Sequence, residues 1–91
     1  MDKNARVAIT LLFMEFLRMR AGNPQSAQGL GRAMSSVQFF SDNFIANLRD
    51  LGAESPELEA DLRRATSELL EVMKDSEESF IPLPRLVLGD N

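Results

Sequence analysis

The sequence contains no cysteine, histidine, tryptophan or tyrosine among its 91 residues. Without cysteine, the chain can form no disulfide, no thiolate-ligated zinc site and no cysteine nucleophile. Without histidine, it also lacks the most common general base and metal ligand. These absences exclude much of the chemistry of small enzymes, and we expect neither catalysis nor a bound cofactor or metal.

The charge of the chain is unevenly distributed. The formal net charge is −4, with six basic and four acidic side chains in residues 1–50 but four basic and ten acidic side chains in residues 51–91. Nucleic-acid binding typically uses clustered Lys and Arg side chains. The basic residues of the first half are instead dispersed among acids: Lys3, Arg6, Arg18, Arg20, Arg32 and Arg49. This pattern disfavours nucleic acid as a partner.

The apolar run at residues 7–14 is too short to cross a membrane. It contains eight uncharged residues and ends at Glu15, whereas a spanning helix needs about 20 residues. Asp2 dilutes the basic start, and no clean cleavage motif follows the run, which argues against a secretory signal. We therefore expect no membrane span and a cytoplasmic protein.

Residues 3–21 are predicted to form a first helix that is apolar around most of its circumference. Asp2 or Asn4 can cap its start, and Gly22 followed by Pro24 ends it. Its apolar positions form one stripe and a second set on the remaining surface: Val7, Leu11, Met14 and Leu17, then Ile9, Leu12, Phe13, Phe16 and Met19. Such a helix is expected to be buried on nearly all sides.

The second helix is predicted to end at Leu51 and to begin at either Pro24 or Leu30. Proline is favoured at a first helical position, but Gly29 and Gly31 each disfavour a helix by about 1 kcal/mol. Its apolar positions then recur at alternating spacings of four and three, which is typical of a helix that packs against other helices. They are Leu30, Met34, Val37, Phe44, Leu48 and Leu51, and the small residue Ser41 occupies the one place in this spacing that is not apolar.

The third helix is predicted over residues 56–79 and has the clearest start in the chain. Ser55 can cap it, Pro56 suits its first position, and the acids Glu57 and Glu59 complement the positive end of the helix dipole. Its apolar positions show the same alternating spacing: Leu58, Leu62, Ala65, Leu69 and Val72. The opposite face is polar and is interpreted as solvated surface.

Short connections between the helices favour antiparallel neighbours. The chain is therefore predicted to be all-α: an antiparallel three-helix bundle in one domain, residues 1–80, followed by an extended proline-containing tail, residues 81–91. In this up-down-up order the third helix runs parallel to the first.

The end of the third helix carries acids where the helix dipole disfavours them. Asp75, Glu77 and Glu78 would lie level with Arg18 and Arg20 at the end of the first helix. We expect these groups to contact each other.

The tail is apolar but cannot be helical throughout. Pro82 and Pro84 push Ile81 and Leu83 toward extended geometry. Such a segment can fold back across its own bundle, or it can occupy a groove or a sheet edge of a partner. The sequence leaves both arrangements open.

Phe39 lies on the far side of the apolar stripe of the second helix. Either the first and third helices cover it, or it belongs to an interface with a second chain, with Met34 or Phe40 beside it. The predicted partner-binding residues come from this helix and from the tail region: Met34, Phe39, Phe40, Phe80, Ile81, Leu83, Leu86 and Leu88.

These patterns favour a small, acidic, non-enzymatic protein that binds another protein or a second copy of itself, as an adaptor, chaperone or inhibitor does. Two alternatives stay open: a nucleic-acid-binding regulator using Arg18, Arg20 and Arg32, and a non-catalytic accessory subunit of a larger enzyme. In layout alone, the chain resembles the small non-catalytic subunit of amidotransferases; in size and helicity it is similar to secretion chaperones and phage-encoded inhibitors. No small-molecule substrate is indicated.

Overall fold

The computed structural model describes residues 1–53 and 55–80, and within them three helices pack against one another. Helix α1 spans Lys3–Ala21, α2 spans Ala27–Asp50 and α3 spans Pro56–Asp75, with a short 3-10 helix over Ser76–Phe80. The prediction of an all-α three-helix bundle is confirmed. The predicted extended tail lies outside the described residues.

Each helix begins at a side-chain cap. Asp2 accepts a hydrogen bond from the Ala5 amide at 3.3 Å, Ser26 from Gly29 at 3.0 Å, and Ser55 from Leu58 at 3.4 Å. The Ser26 cap places the start of α2 between the two starts that the sequence left open. Capping satisfies backbone N–H groups that have no partner within the helix.

Glycines with positive φ follow α1 and α2. Gly22 has φ of 59° and donates its amide to Arg18 O, and Gly52 has φ of 70° and donates to Arg49 O. This left-handed backbone favours glycine because it lacks a Cβ. These two residues end the helices and reverse the chain.

Helix α3 is shorter than the sequence indicated. It ends at Asp75, because Ser76 bonds back to the last turn: its hydroxyl donates to Met73 O at 2.6 Å. Local serine bonds of this kind compete with helix continuation. The chain then tightens into the 3-10 helix, whose last residue, Phe80, packs partly buried against the core.

The buried apolar side chains form one core that runs the length of the bundle. They come from all three helices: Phe13, Leu17, Leu30, Val37, Ile45, Leu58, Leu62 and Met73. Burial of each large apolar side chain contributes about 1.5–3 kcal/mol of transfer free energy, and this gain stabilises the packing of the helices.

Toward the carboxyl ends of α2 and α3, the buried positions differ from the alternating four-and-three pattern that the sequence predicted. In α2, Ile45 is buried and Leu51 is exposed; in α3, Thr66 and Met73 are buried and Val72 is exposed. A straight helix has 3.6 residues per turn, so a seam spaced at 3.5 rotates by about 20° per heptad. The buried positions of α2 and α3 have accordingly moved off the heptad pattern by the last turns.

Contacts near both ends show that α1 and α3 run in the same direction: an ion pair near their starts, and a groove nearer their ends that Arg18 of α1 lines together with Val72 of α3. Arg6 Nε near the start of α1 lies 2.8 Å from Asp61 Oδ2 near the start of α3. The buried Nε has no hydrogen-bond acceptor in the described part of the chain, so this contact is an electrostatic one. The parallel orientation of α1 and α3 is therefore as predicted.

The expected contact between the basic end of α1 and the acidic end of α3 is not formed. Arg18 pairs with Glu15 on its own helix, and the Arg20 guanidinium carbon lies 5.2 Å from the centre of the Phe40 ring on α2. Residues 18 and 20 are two apart on a helix, so they point to different sides of α1. Arg20 consequently points toward α2, away from the acids of α3.

Within residues 1–53 and 55–80, none of the helices has both the length and the apolar character needed to cross a membrane.

Candidate interaction surface

Helix α1 presents an uncovered apolar face to solvent. We call it the outer face of α1, and it consists of Ala5, Ala8, Leu12, Phe16 and Met19, all classed as exposed. The side chains of Leu12, Phe16 and Met19 are 61%, 46% and 74% exposed. Spacings of three and four residues place these positions along one side of a helix. The sequence predicted burial of α1 on nearly all sides, and within the described bundle this side is not covered.

The outer face adjoins a cluster of four phenylalanines between α1 and α2. The Phe13 ring lies 5.1 Å from Phe44 and 6.0 Å from Phe40, and Phe16 lies 6.0 Å from Phe40, measured between ring centres. These separations are those of attractive aromatic pairs. The cluster holds Phe16 at the boundary between core and solvent, with one side of its ring buried and the other free.

Two shallow depressions join this cluster to the exposed part of α2. One is lined by Phe16, Met19, Arg20, Phe40 and Phe44. The other, which we call the Phe39 recess, is lined by Arg20, Phe39, Phe40, Asn43, Phe44 and Asn47. Arg20, Phe40 and Phe44 line both depressions. The outer face of α1 and the Phe39 recess therefore form one continuous surface, which is apolar except at Arg20, Asn43 and Asn47.

Phe39 lies at the far edge of that surface. Its side chain is 72% exposed, and its carbonyl accepts a hydrogen bond from Asn43 Nδ2 at 2.9 Å. Of the two arrangements that the sequence left open, coverage of Phe39 by α1 and α3 is therefore wrong for the described bundle. A role for Phe39 in a partner interface stays a prediction.

The other predicted partner-binding residues lie elsewhere. Met34 and Phe80 are partly buried and pack against the core, and Phe40 does the same while also reaching the surface. Met34 is five positions from Phe39 and lies on a different side of α2, so it is not beside Phe39 as expected. The remaining predicted residues lie outside the described part of the chain: Ile81, Leu83, Leu86 and Leu88.

None of the predicted protein-binding residues lies on α1. The signal was present, because α1 has apolar residues on more of its circumference than two neighbouring helices can cover. Leu11 on α1 is also exposed, outside the outer face, and the exposed Val72 of α3 lines the groove between α1 and α3. An apolar circumference larger than two neighbouring helices can cover therefore indicates that one side of α1 stays uncovered.

The two carboxyl groups with shifted pKa values lie on α3, away from the outer face of α1. The pKa of Glu59 is below its usual value, because Arg49 donates to it at 2.7 Å and Arg63 at 3.1 Å. The pKa of Glu57 is also lowered, first by a hydrogen bond from its own backbone N–H and then by the Ser55 hydroxyl. These groups cluster at the start of α3 and stabilise that end of the bundle.

The structure separates the arginines of the nucleic-acid alternative. Arg18 lines the groove between α1 and α3, whereas Arg20 lines the depression between α1 and α2. Arg32 is on α2. Among the residues described, no group of three or more acidic side chains is arranged to hold a metal ion.

Comparison with known proteins finds no matching family model, no matching curated protein and no matching solved structure.

Proposed function

We propose that this protein is a non-enzymatic protein–protein interaction module whose contact surface is the outer face of α1 together with the Phe39 recess. The observation that carries the proposal is the exposure of Leu12, Phe16, Met19 and Phe39 on one continuous surface. Single exposed apolar residues are common on soluble proteins, but a contiguous group is typical of an interaction site.

The composition of the surface supports this function. Aromatic, Met and Arg side chains are enriched at the centres of protein interfaces, and Lys and Glu are depleted there. Here Arg20 lies among Met19 and four phenylalanines, and no acid is among the residues that line either depression. The Arg20 guanidinium over Phe40 supplies a cationic group that can pair with an acidic or carbonyl group of the bound protein.

Site-specific photo-cross-linking in the source cells tests the proposal. A photoreactive amino acid at position 19 or 39 is expected to yield one defined cross-linked product, identified by mass spectrometry. Gln28 and Ser67, which are exposed on α2 and α3, serve as control positions and are expected to give none. Equal products from all four positions, or none from any, would contradict an interaction role for this surface.

A further inference from the structure

The five positions of the outer face of α1 are arranged symmetrically along the helix. From Ala5 through Ala8, Leu12 and Phe16 to Met19, the spacings are three, four, four and three residues. This order is the same when read in either direction. Two copies of the helix placed antiparallel therefore bring the five positions into register, with Leu12 at the two-fold axis.

The side chains in this register are complementary in size. Positions whose numbers add to 24 lie opposite each other, so Ala8 faces Phe16 of the second copy, and Ala5 faces Met19. Phe16 and Met19 thus each meet an alanine, and Leu12 meets Leu12 of the second copy at the axis, which allows close packing. A parallel pair would instead place the two Phe16 rings together and leave a gap between the alanines.

We infer that the partner of this surface is a second copy of the chain, joined by antiparallel packing of α1 against α1 about a two-fold axis at Leu12. The inference rests on the proposed function and specifies its partner. Most soluble oligomers are symmetric homo-oligomers, and a two-fold interface requires a self-complementary surface. The outer face of α1 satisfies this requirement in both spacing and size.

The charges near the two ends of α1 are compatible with this pairing. Arg18 is already neutralised by Glu15, and Arg6 by Asp61. In the antiparallel register, Arg20 of one copy lies within about one helical turn of Asp2 of the other. Lys3 lies at the same level, so the ends of the paired helices carry charges of both signs.

The available area indicates a dimer of modest affinity. At roughly 200 Å² for a large side chain, the exposed parts of Leu12, Phe16 and Met19 amount to about 700 Å² over two copies. Small specific interfaces bury about 1,200 Å² in total, and the two alanines and the Phe39 recess adjoin the face and bring the area toward that value. Dissociation in the micromolar range is expected.

Leu11 and Leu12 provide a matched pair for the test. They are adjacent, chemically identical and 58% and 61% exposed, but Leu11 lies about 100° further round the helix. In the full-length protein, Leu12→Asp is expected to convert the dimer to a monomer in sedimentation velocity, with unchanged helical circular dichroism. Leu11→Asp is expected to leave the dimer intact. A wild-type monomer up to millimolar concentration, or a dimer that Leu12→Asp does not dissociate, would overturn the inference.

Cysteine cross-linking tests the register, because the natural chain has no cysteine. Under mild oxidation, Leu12→Cys is expected to form a disulfide dimer at least tenfold faster than Leu11→Cys. A mixture of Ala8→Cys and Phe16→Cys is expected to form the mixed dimer rather than Ala8→Cys homodimers. Equal rates at positions 11 and 12, or preferential Ala8→Cys homodimers, would overturn antiparallel pairing.

The outcomes separate this inference from the proposed function. A monomeric wild-type chain whose position 19 or 39 cross-links to a different protein would overturn self-association and leave the interaction role standing. A monomer without any cross-linked product would overturn both.

Discussion

The hydroxyl groups of Ser41 on α2 and Thr66 on α3 lie 2.8 Å apart, and both residues are almost fully buried. Thr66 also donates to Leu62 O at 2.8 Å. Because its hydrogen is used in that bond, Ser41 donates to Thr66 Oγ1. Buried hydroxyls need partners, so this pair fixes one register of α2 against α3.

Single substitutions at this pair are expected to destabilise the bundle. Ser41→Ala removes the donor to Thr66, and Thr66→Val leaves the buried Ser41 hydroxyl without its acceptor. Each is expected to lower the free energy of unfolding by about 1 kcal/mol. Urea titrations followed by circular dichroism measure the loss.

The double variant distinguishes a coupled pair from two independent losses. Since Ser41→Ala combined with Thr66→Val leaves neither hydroxyl in the interface, its loss is expected to be smaller than the sum of the single losses. Ser67→Ala, at an exposed position of the same helix, is the control and should be neutral. Strict additivity would contradict a mutual hydrogen bond.

Phe39 and Phe13 are expected to respond oppositely to substitution. Phe13 is fully buried within the aromatic cluster, so Phe13→Ala should cost about 3–5 kcal/mol. Phe39 faces solvent, so Phe39→Asp should change monomer stability by no more than about 0.5 kcal/mol. Denaturation at a concentration where the chain is monomeric measures both, and unfolding caused by Phe39→Asp would place that residue in the core.

Acid sensitivity is expected to depend on Glu59. Its pKa in the folded state is lowered from 4.5 by hydrogen bonds from Arg49 and Arg63. The stabilisation is therefore present above the unfolded pKa and is lost as the pH falls through the folded pKa. Glu59→Gln should lose less stability than the wild type between pH 7 and the acid range.

The control for this measurement is Glu68→Gln on the same helix, since no ion pair within the described residues involves Glu68. Its melting temperature should follow the wild-type pH dependence. If Glu59→Gln and the wild type showed the same acid dependence of the melting temperature, the two arginine contacts would not stabilise the folded state.

The helix starts could be predicted from sequence because the responsible interactions are local. Ser55 followed by Pro56 specifies the start of α3 through one cap and one proline. The start of α2 was ambiguous because Pro24 favours an early start whereas Gly29 and Gly31 favour a start at Leu30, and the Ser26 cap, which was not predicted, determines the outcome. Interactions within one turn can be read from the order of residues alone.

The uncovered surface could not be predicted to the same extent, because it depends on which sides of α1 its two neighbours occupy. The sequence shows that Leu12 and Phe16 are apolar, but only the packing of the helices shows that they face solvent. For Phe39 the spacing indicated the side of α2 on which it lies but left open whether another helix covers it. Coverage is a tertiary property that a repeat of 3.6 residues does not encode.

Burial of the outer face of α1 between two copies can be tested directly by oxidation of the methionines in the full-length protein. Met19 and Met1 are 74% and 59% exposed in the single bundle, and Met73 is 7% exposed. With peroxide and mass spectrometry, Met19 is predicted to react nearly as slowly as Met73 at high protein concentration and to approach the rate of Met1 on dilution. Met19 reacting as fast as Met1 at every concentration would contradict this burial.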